Sequence, residues 1–287
     1  MFNKKILKEG IDDAGAPDEK YYAFDWDDNI VTMPTKIILK DDEGREVGMS
    51  TEDFAEHRHQ IGNEPFNFKG TKIIGYANDP FRFFKTEGDK RFLIDCMVAP
   101  LGPSWNDFVE CINGGSIFGI ITARGHHPDT LKEAVKNLII SNKNGISSKT
   151  LIENLKKYES LIKGNLKEQD ETSIDVNFDG KELIERYLER CLFAPVSYGE
   201  GSAANPEEGK IKALRKFISY CKQVANEIIH EPGKFLNDIK NEEIIPFIGF
   251  SDDDPRNIEK MKDFLDTEYE DKPVRMYLTK GGEKKEV

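Results

Sequence analysis

The sequence predicts an α/β fold in which a mostly parallel sheet is covered by helices on both faces. Three observations carry that expectation. Short apolar, β-prone runs recur along the chain at Tyr21–Asp25, Ser116–Thr122, Leu192–Tyr198, Ile244–Phe250 and Val274–Leu278. Helix-start signals lie between them, and alternating strands and helices are the pattern of parallel sheets. Several of the runs also stop abruptly at acids or hydroxyls, as strands do when their carboxyl ends face a ligand crevice.

The elements follow in order. Tyr21–Asp25 reads as a buried strand that ends at a charged rim formed by Asp25, Asp27 and Asp28. Residues 32–103 exceed what a simple crossover needs and contain a hairpin pattern: Thr35–Lys40, a turn at Asp41–Gly44, then Arg45–Met49. Ser104–Asn113 reads as a helix with a serine N-cap, closed at Gly114 and Gly115. After the strand at Ser116–Thr122, His127, Pro128 and Asp129 open a helix running to about Ile140. Residues 143–190 are rich in Lys and Glu and read as a second, helical insertion. Asn205, Pro206, Glu207 and Glu208 combine an N-cap, a first-turn proline and early acids, and that helix extends to about Ile229. Pro255 opens a helix through about Leu265. The core is thus expected in residues 20–31, 104–142 and 191–280, with a flap or cap at 32–103, a helical insertion at 143–190 and a frayed tail at 281–287.

Composition narrows the function classes. The 287 residues carry a formal net charge of -12, which disfavours long-range attraction to nucleic acid or anionic lipid but leaves room for a local basic groove. No apolar run approaches the roughly 20 residues needed to span a bilayer, so no membrane partner is expected. The first twenty residues hold no apolar segment of signal-peptide length, and the expected location is cytoplasmic. Cys96, Cys111, Cys191 and Cys221 have no metal-ligand spacing and read as free thiols.

The chemistry gathers at strand ends. Strand alternation brings Asp25 and Asp27 to the same side, and two nearby carboxylates stay ionised together mainly when a cation lies between them. Phe118–Gly125 delivers the Thr122 hydroxyl and the Arg124 guanidinium at another strand end. Pro246–Asn257 delivers Asp252, Asp253 and Asp254 just before a helix start. Lys210 stands in the first turn of a helix, where the dipole prefers an anion, so nearby acids or a bound phosphate would explain it.

Together these segments resemble the haloacid dehalogenase-like (HAD) hydrolase superfamily, phosphatase type, with its Rossmann-like core and inserted cap elements. The family's first motif, an apolar strand followed by DxDx(T/V), matches Phe24–Val31, with Asn29 at the usual Thr or Val position and Asp28 where Gly is frequent. Its strand ending in Thr or Ser matches Ile120–Thr122. Its lysine is matched by Lys210, with Lys212 and Lys234 as rivals. Its final acidic pair matches Asp252 and Asp253, with Asn257 four residues beyond the second acid.

The resemblance implies a Mg²⁺-dependent phosphomonoester hydrolase working through an aspartyl-phosphate on Asp25, with Asp27 as proton carrier. It implies metal ligation by Asp25, by Asp27 through its backbone carbonyl, and by the Asp252–Asp253 pair, with Asp253 the direct ligand and Asp252 behind it. Thr122 and Lys210 would bind the phosphoryl oxygens. The expected partner is a phosphorylated small molecule, and oligomeric state is left open.

Other readings stay beside these. Asp252–Asp254 could serve as a helix cap, and capping by Asp254 is compatible with metal binding by Asp253. Arg124 either binds substrate phosphate or pairs with a neighbouring acid. His126 and His127 read as exposed loop residues near the site's mouth, with a substrate contact as the alternative, His57 and His59 as surface, and Trp26 as core. The stretch Asn78–Lys85 interleaves Phe81, Phe83 and Phe84 with Arg82 and Lys85. It keeps a polynucleotide end-phosphatase as an alternative function. A non-catalytic binding protein with the same fold is the other.

Overall fold

The computed structural model describes residues 21–156, 179–199, 205–230 (side chains to 224), 247–269, 274–280 and 282–287. Two sheets organise them. The larger has six strands: β1 (Tyr21–Phe24), β6 (Phe118–Thr122), β7 (Leu192–Pro195), β8 (Ile248–Asp252), β9 (Val274–Lys280) and β10 (Glu283–Glu286), in the order β10-β9-β8-β1-β6-β7. All pairings are parallel except β9 with β10. The expected mostly parallel α/β architecture is present.

The order places β1 at the centre, flanked by β6 and β8. Succession runs outward from β1 through β6 to β7, then crosses to β8 on the other side. The reversal lies between β1 and β8, and the crevice outside their carboxyl ends is where such sheets take ligands.

Every β1 residue is buried, as a central parallel strand requires. Alternation divides the side chains. Tyr22 and Phe24 face a cluster that includes Phe92, Phe108 and Phe118, while Tyr21 and Ala23 face one with Phe217, Phe250 and Met261. The helices covering the first face are α2 (Asp89–Val98), α3 (Trp105–Gly114), α4 (Pro128–Ile140) and α5 (Gly180–Glu189). Those on the second are α6 (Pro206–His230) and α7 (Pro255–Glu268). The expected helix starts at Pro128, Pro206 and Pro255 are all found, each with proline in the first turn.

The expected hairpin at 35–49 is β2 (Ile37–Asp41) paired with β3 (Glu46–Met49). It belongs to a separate four-stranded antiparallel sheet, completed by β4 (Phe66–Phe68) and β5 (Thr71–Tyr76) in the order β3-β2-β5-β4. Helix α1 (Thr51–His57), capped by Ser50, follows the hairpin. This small sheet has its own apolar cluster around Ile37, Leu39, Phe68 and Ile73.

The structure differs from expectation at four places. Residues 89–103 do not belong to the flap: α2 buries Phe92 and Cys96 in the main core. Residues 283–286 are not frayed but form β10, where Lys284 pairs with Asp107 and lies 4.0 Å from the Tyr277 ring centroid. Ser104 does not cap α3 with its side chain. Its hydroxyl lies instead 2.8 Å from Asn29 Oδ1 and 3.1 Å from Ser251 Oγ. Residues 148–156 are helical like α5, but Leu151, Ile184 and Leu188 lie in the main core, so these parts of the expected 143–190 insertion belong to it; residues 157–178 lie outside the described residues.

The turn after β1 is closely packed. Asp28 has φ 52°, in the left-handed region, which accounts physically for glycine being common at such a position. Gly102 lies against this turn and donates its N–H to Ile30 O at 2.8 Å. A Cβ on Gly102 would fall 2.2 Å from Asn29 O, whereas one on Gly75 in β5 meets nothing within 4 Å. Gly102→Ala is therefore expected to destabilise the fold by about 2–4 kcal/mol, with Gly75→Ala within about 1 kcal/mol of wild type. Urea denaturation of the two variants checks the contrast.

Candidate active site

Asp25 follows directly on β1, and its N–H donates to Ser251 O of β8 at 2.9 Å. That bond fixes Asp25 against the end of β8, where Asp252 is the last strand residue and Asp253 the next. Carboxylate oxygens of Asp25, Asp252 and Asp253 all lie within 4.8 Å of one another. The acids anticipated at two distant places in the sequence thus meet at the reversal point of the sheet.

Lys210, near the start of α6, points into this cluster and is 2% exposed. Its Nζ donates to Asp252 Oδ2 at 2.6 Å and lies 3.1 Å from Asp25 Oδ1. Burial alone would lower the lysine's proton affinity, but Asp25 and Asp252 outweigh it and raise it, so the ammonium is charged. Of the rivals, Lys212 is exposed on α6 and Lys234 lies outside the described residues.

Asp252 is fully committed. Oδ2 takes Lys210, while Oδ1 accepts from the Asp254 N–H at 3.0 Å and from Asn257 Nδ2 at 2.8 Å. Asn257 therefore serves Asp252 rather than Asp253. Asp254 caps α7 by accepting from the Arg256 N–H at 3.0 Å, so the capping reading holds for it. Burial would raise the Asp254 carboxyl, but its bonds to Arg256 outweigh this and lower it.

Among the described residues, Asp25 and Asp253 are left short of partners. Asp25 Oδ1 is buried without a hydrogen bond of good geometry. Burial pushes the Asp25 carboxyl up to about 7; Lys210 opposes the rise and Asp252 adds to it. The Asp253 carboxyl is likewise raised well above its ordinary 3.8, by burial and then by Asp252 and Asp25. Three acids with one ammonium between them form a hard, oxygen-only donor set that lacks positive charge. Mg²⁺ fits that deficit, with Asp25 and Asp253 as the side chains free to hold it.

Asp27 is elsewhere. Its carboxylate does not join the three-acid cluster. Both its oxygens accept from Arg124: Oδ2 from Nε at 2.8 Å and Oδ1 from Nη2 at 2.7 Å. Of the two roles open for Arg124, the structure shows pairing with an acid. The guanidinium is 1% exposed, sits 4.7 and 4.8 Å from the Phe84 and Phe92 ring centroids, and also donates to Thr35 Oγ1 at 3.1 Å.

His126, expected on an exposed loop, lies in the interior. It is fully buried, stacked on Phe92 at 4.5 Å, with Nε2 3.1 Å from Arg124 Nη1 and Nδ1 2.7 Å from Asp89 Oδ1. Arginine has donors only, so His126 Nε2 accepts and Nδ1–H donates to Asp89. His127 does remain partly exposed, accepting from the Asp129 N–H as the cap of α4.

Thr122 ends β6, is 1% exposed, and carries its hydroxyl 3.4 Å from the Arg124 N–H. Trp26 is in the core, as expected. Asn29 does more than pack a turn. Its Nδ2 donates to Asp25 O at 3.0 Å and lies 3.1 Å from Ser251 O and 2.8 Å from Ser251 Oγ. Its Oδ1 accepts from Ser104 and Thr279. One side chain thus locks the chain after β1 to β8, β9 and the start of α3. Ser251, Thr279, Asp89 and Thr35 had no distinguishing signal in the sequence.

A cavity of about 620 Å³ adjoins the acids, bounded by Asp28, Asp253 and Arg256 on the core side and by Glu52 and Glu56 of α1. Arg256 Nη2 donates to Ala55 O at 3.1 Å, which fixes α1 over the opening. The 32–103 insertion therefore supplies one wall of the space beside the site. In the aromatic stretch 78–85, Arg82 pairs with Glu46, Lys85 with Asp79, and Phe84 is buried.

Comparisons of the chain with protein-family models, with curated proteins and with solved structures return no match in any of the three.

The charge deficit has a measurable consequence. The Asp25 carboxyl is raised from 3.8 to about 7, so without a cation the folded state holds a proton there that the unfolded chain loses earlier. The stability this contributes is present at low pH and is lost as pH rises through about 7. A divalent cation bound by Asp25 and Asp253 would replace that proton. Added Mg²⁺ should therefore raise the Tm clearly at about pH 8 and far less at about pH 5.5, and Asp253→Asn should diminish the rise at pH 8.

Proposed function

We propose that this chain is a Mg²⁺-dependent phosphatase of the haloacid dehalogenase-like type, hydrolysing phosphomonoesters through an aspartyl-phosphate on Asp25. The observation that carries this reading is the meeting of Asp25, Asp252, Asp253 and buried Lys210 at the reversal point of the large sheet. The strand order, with β1 central and β6 and β8 beside it, agrees with the Rossmann-like core that the sequence resemblance implies.

The chain's residues can be given specific work. Asp25 attacks phosphorus, and for this it must be ionised. Lys210, 3.1 Å away, favours that state and supplies positive charge where phosphoryl oxygens gather. Thr122 offers a buried hydroxyl at the neighbouring strand end for a second phosphoryl oxygen. Asn29 holds the Asp25 carbonyl, so the nucleophile is fixed from its own backbone. Asp252 anchors Lys210 and leaves Asp253 available for metal. Mg²⁺, when bound by Asp25 and Asp253, neutralises charge on the phosphate and lets the acids ionise together.

The 620 Å³ cavity beside the acids is of small-molecule size, which supports a phosphorylated metabolite as substrate. The walls at Glu52 and Glu56, and the pairing of Arg82 and Lys85, give no support to a groove for a polynucleotide end.

The test is a phosphoester panel in Mg²⁺ with and without EDTA. Wild type should turn over a generic aryl phosphate, EDTA should abolish turnover, and excess Mg²⁺ should restore it. Asp25→Asn should lose about 1,000-fold or more in kcat. A variant as fast as wild type would remove the nucleophile assignment, and absence of turnover on the whole panel would favour a binding protein. Cleavage of a 3′- or 5′-phosphorylated oligonucleotide in preference to small esters would favour the end-phosphatase.

A further inference from the structure

Helix α1 has no buried residue, yet it forms one wall of the cavity beside the acids. Seven residues are too few for a helix that is stable by itself. Phe54 packs α1 against the apolar cluster of the small sheet. Toward the large sheet, polar contacts hold it at both ends. Thr51 Oγ1 donates to Asp28 Oδ2 at 2.5 Å, and Arg256 Nη2 donates to Ala55 O at 3.1 Å. Arg58, the residue that follows the helix, donates from Nη2 to Glu207 Oε1 at 2.5 Å and lies 3.6 Å from Asp254 Oδ2. Glu207 is in the first turn of α6, three residues before Lys210. Asp254 caps α7 and is the neighbour of Asp253. Helix dipoles favour acids at helix starts, and here the starts of α6 and α7 bring two carboxylates to one place. The Arg58, Glu207 and Asp254 side chains are 22%, 18% and 11% exposed, so solvent screens their charges only in part. Arg256 also bonds Asp254, but from within α7, so it does not link the helices. The Arg58 guanidinium does link them, and it turns the repulsion of two acids into a brace. Lys210 and Asp253 ride on the two segments so braced.

We propose that Arg58 is a positioning residue for the reaction: it clasps the start of α6 to the start of α7 and so fixes Lys210 relative to Asp253. The inference rests on the phosphatase reading above, in which Lys210 meets phosphoryl oxygens and Asp253 the metal. It adds to that reading a residue from the flap, outside the segments that carry the sequence resemblance. Arg58 acts through Glu207 and Asp254 and not at phosphorus. The same clasp seats α1 beside the cavity, so one side chain sets both the wall next to the substrate and the two charged groups.

Turnover of nitrophenyl phosphate across a range of Mg²⁺ concentrations tests this in wild type, Arg58→Ala, Glu207→Gln and the double variant. A displacement of about 1 Å can cost about 100-fold in rate. Arg58→Ala should therefore lose about 10–100-fold in kcat, with KM for the ester within about threefold of wild type. It should also need several-fold more Mg²⁺ for half-maximal rate. Millimolar guanidinium should restore part of the Arg58→Ala rate and leave wild type unchanged, a response that simple loss of stability would not give. Because Arg58 and Glu207 share one contact, the double variant should match Arg58→Ala within about twofold. A folded Arg58→Ala whose kcat stays within about threefold of wild type overturns the inference while the phosphatase reading stands. Losses that multiply in the double variant also overturn it. Should Arg58→Ala not fold, Glu207→Gln decides: a loss of about tenfold in kcat supports the clasp, and one below about threefold overturns it. If wild type turns over no phosphoryl compound, the phosphatase reading falls and this inference falls with it.

Discussion

The ammonium of Lys210, buried between Asp25 and Asp252, is the contact on which the site's construction depends. A lysine is almost never fully buried unless paired, and unpaired it would lose its proton or unfold its surroundings. Here it pairs with acids from the ends of two adjacent parallel strands, near the start of a helix packed against those strands. The pairing draws β1, β8 and α6 to one point. It also leaves the cluster short of positive charge, because Asp25 and Asp252 share one ammonium and a third acid, Asp253, stands within reach of the same group. Structural ion pairs usually balance; this one does not, and on the proposed reading a cation would make up the difference.

The surroundings hold that imbalance in place. Asn29 bonds the backbone of Asp25 and Ser251 and receives Ser104 and Thr279, so four elements share one amide. Such a network is costly when half satisfied and rigid when complete. On the other side of the turn, Arg124 holds Asp27 with equal firmness. The two acids of the first motif thus have different fates. Asp25 is held through its backbone with its carboxylate exposed to charge, while Asp27 is held by the carboxylate itself.

Much of this was legible in the sequence because it is local or periodic. The apolar runs at 21–25 and 118–122, the prolines at 128, 206 and 255, and the acids at strand ends each announce their element within a few residues. Asp25, Asp252 and Lys210 could be brought together because parallel strands end on one edge and the helix start lies beside them. What escaped is what depends on partners remote in sequence. His126 is in a polar, glycine-flanked stretch that reads as a surface loop. Only the arrival of Asp89 from α2 and the Phe92 ring explains its burial. Arg124 left two roles open because its partner is 97 residues away. The tail looked frayed because Lys284 and Glu286 are polar, yet an edge strand needs only one neighbour, and β9 provides it. Asn29 stood out as a departure from the motif, but its five contacts come from four different elements.

The central claim is that Asp25 is a nucleophile, not merely one acid of a cation site. Trapping the acyl-phosphate tests this most directly: turnover in Mg²⁺ is quenched with borohydride, and the peptide spanning residue 25 is examined by mass spectrometry. Reduction of an aspartyl-phosphate converts that aspartate to homoserine. The account predicts homoserine at position 25, dependent on substrate and on Mg²⁺, and at no other aspartate. Turnover with Asp25 unmodified, or with modification at another residue, would contradict it.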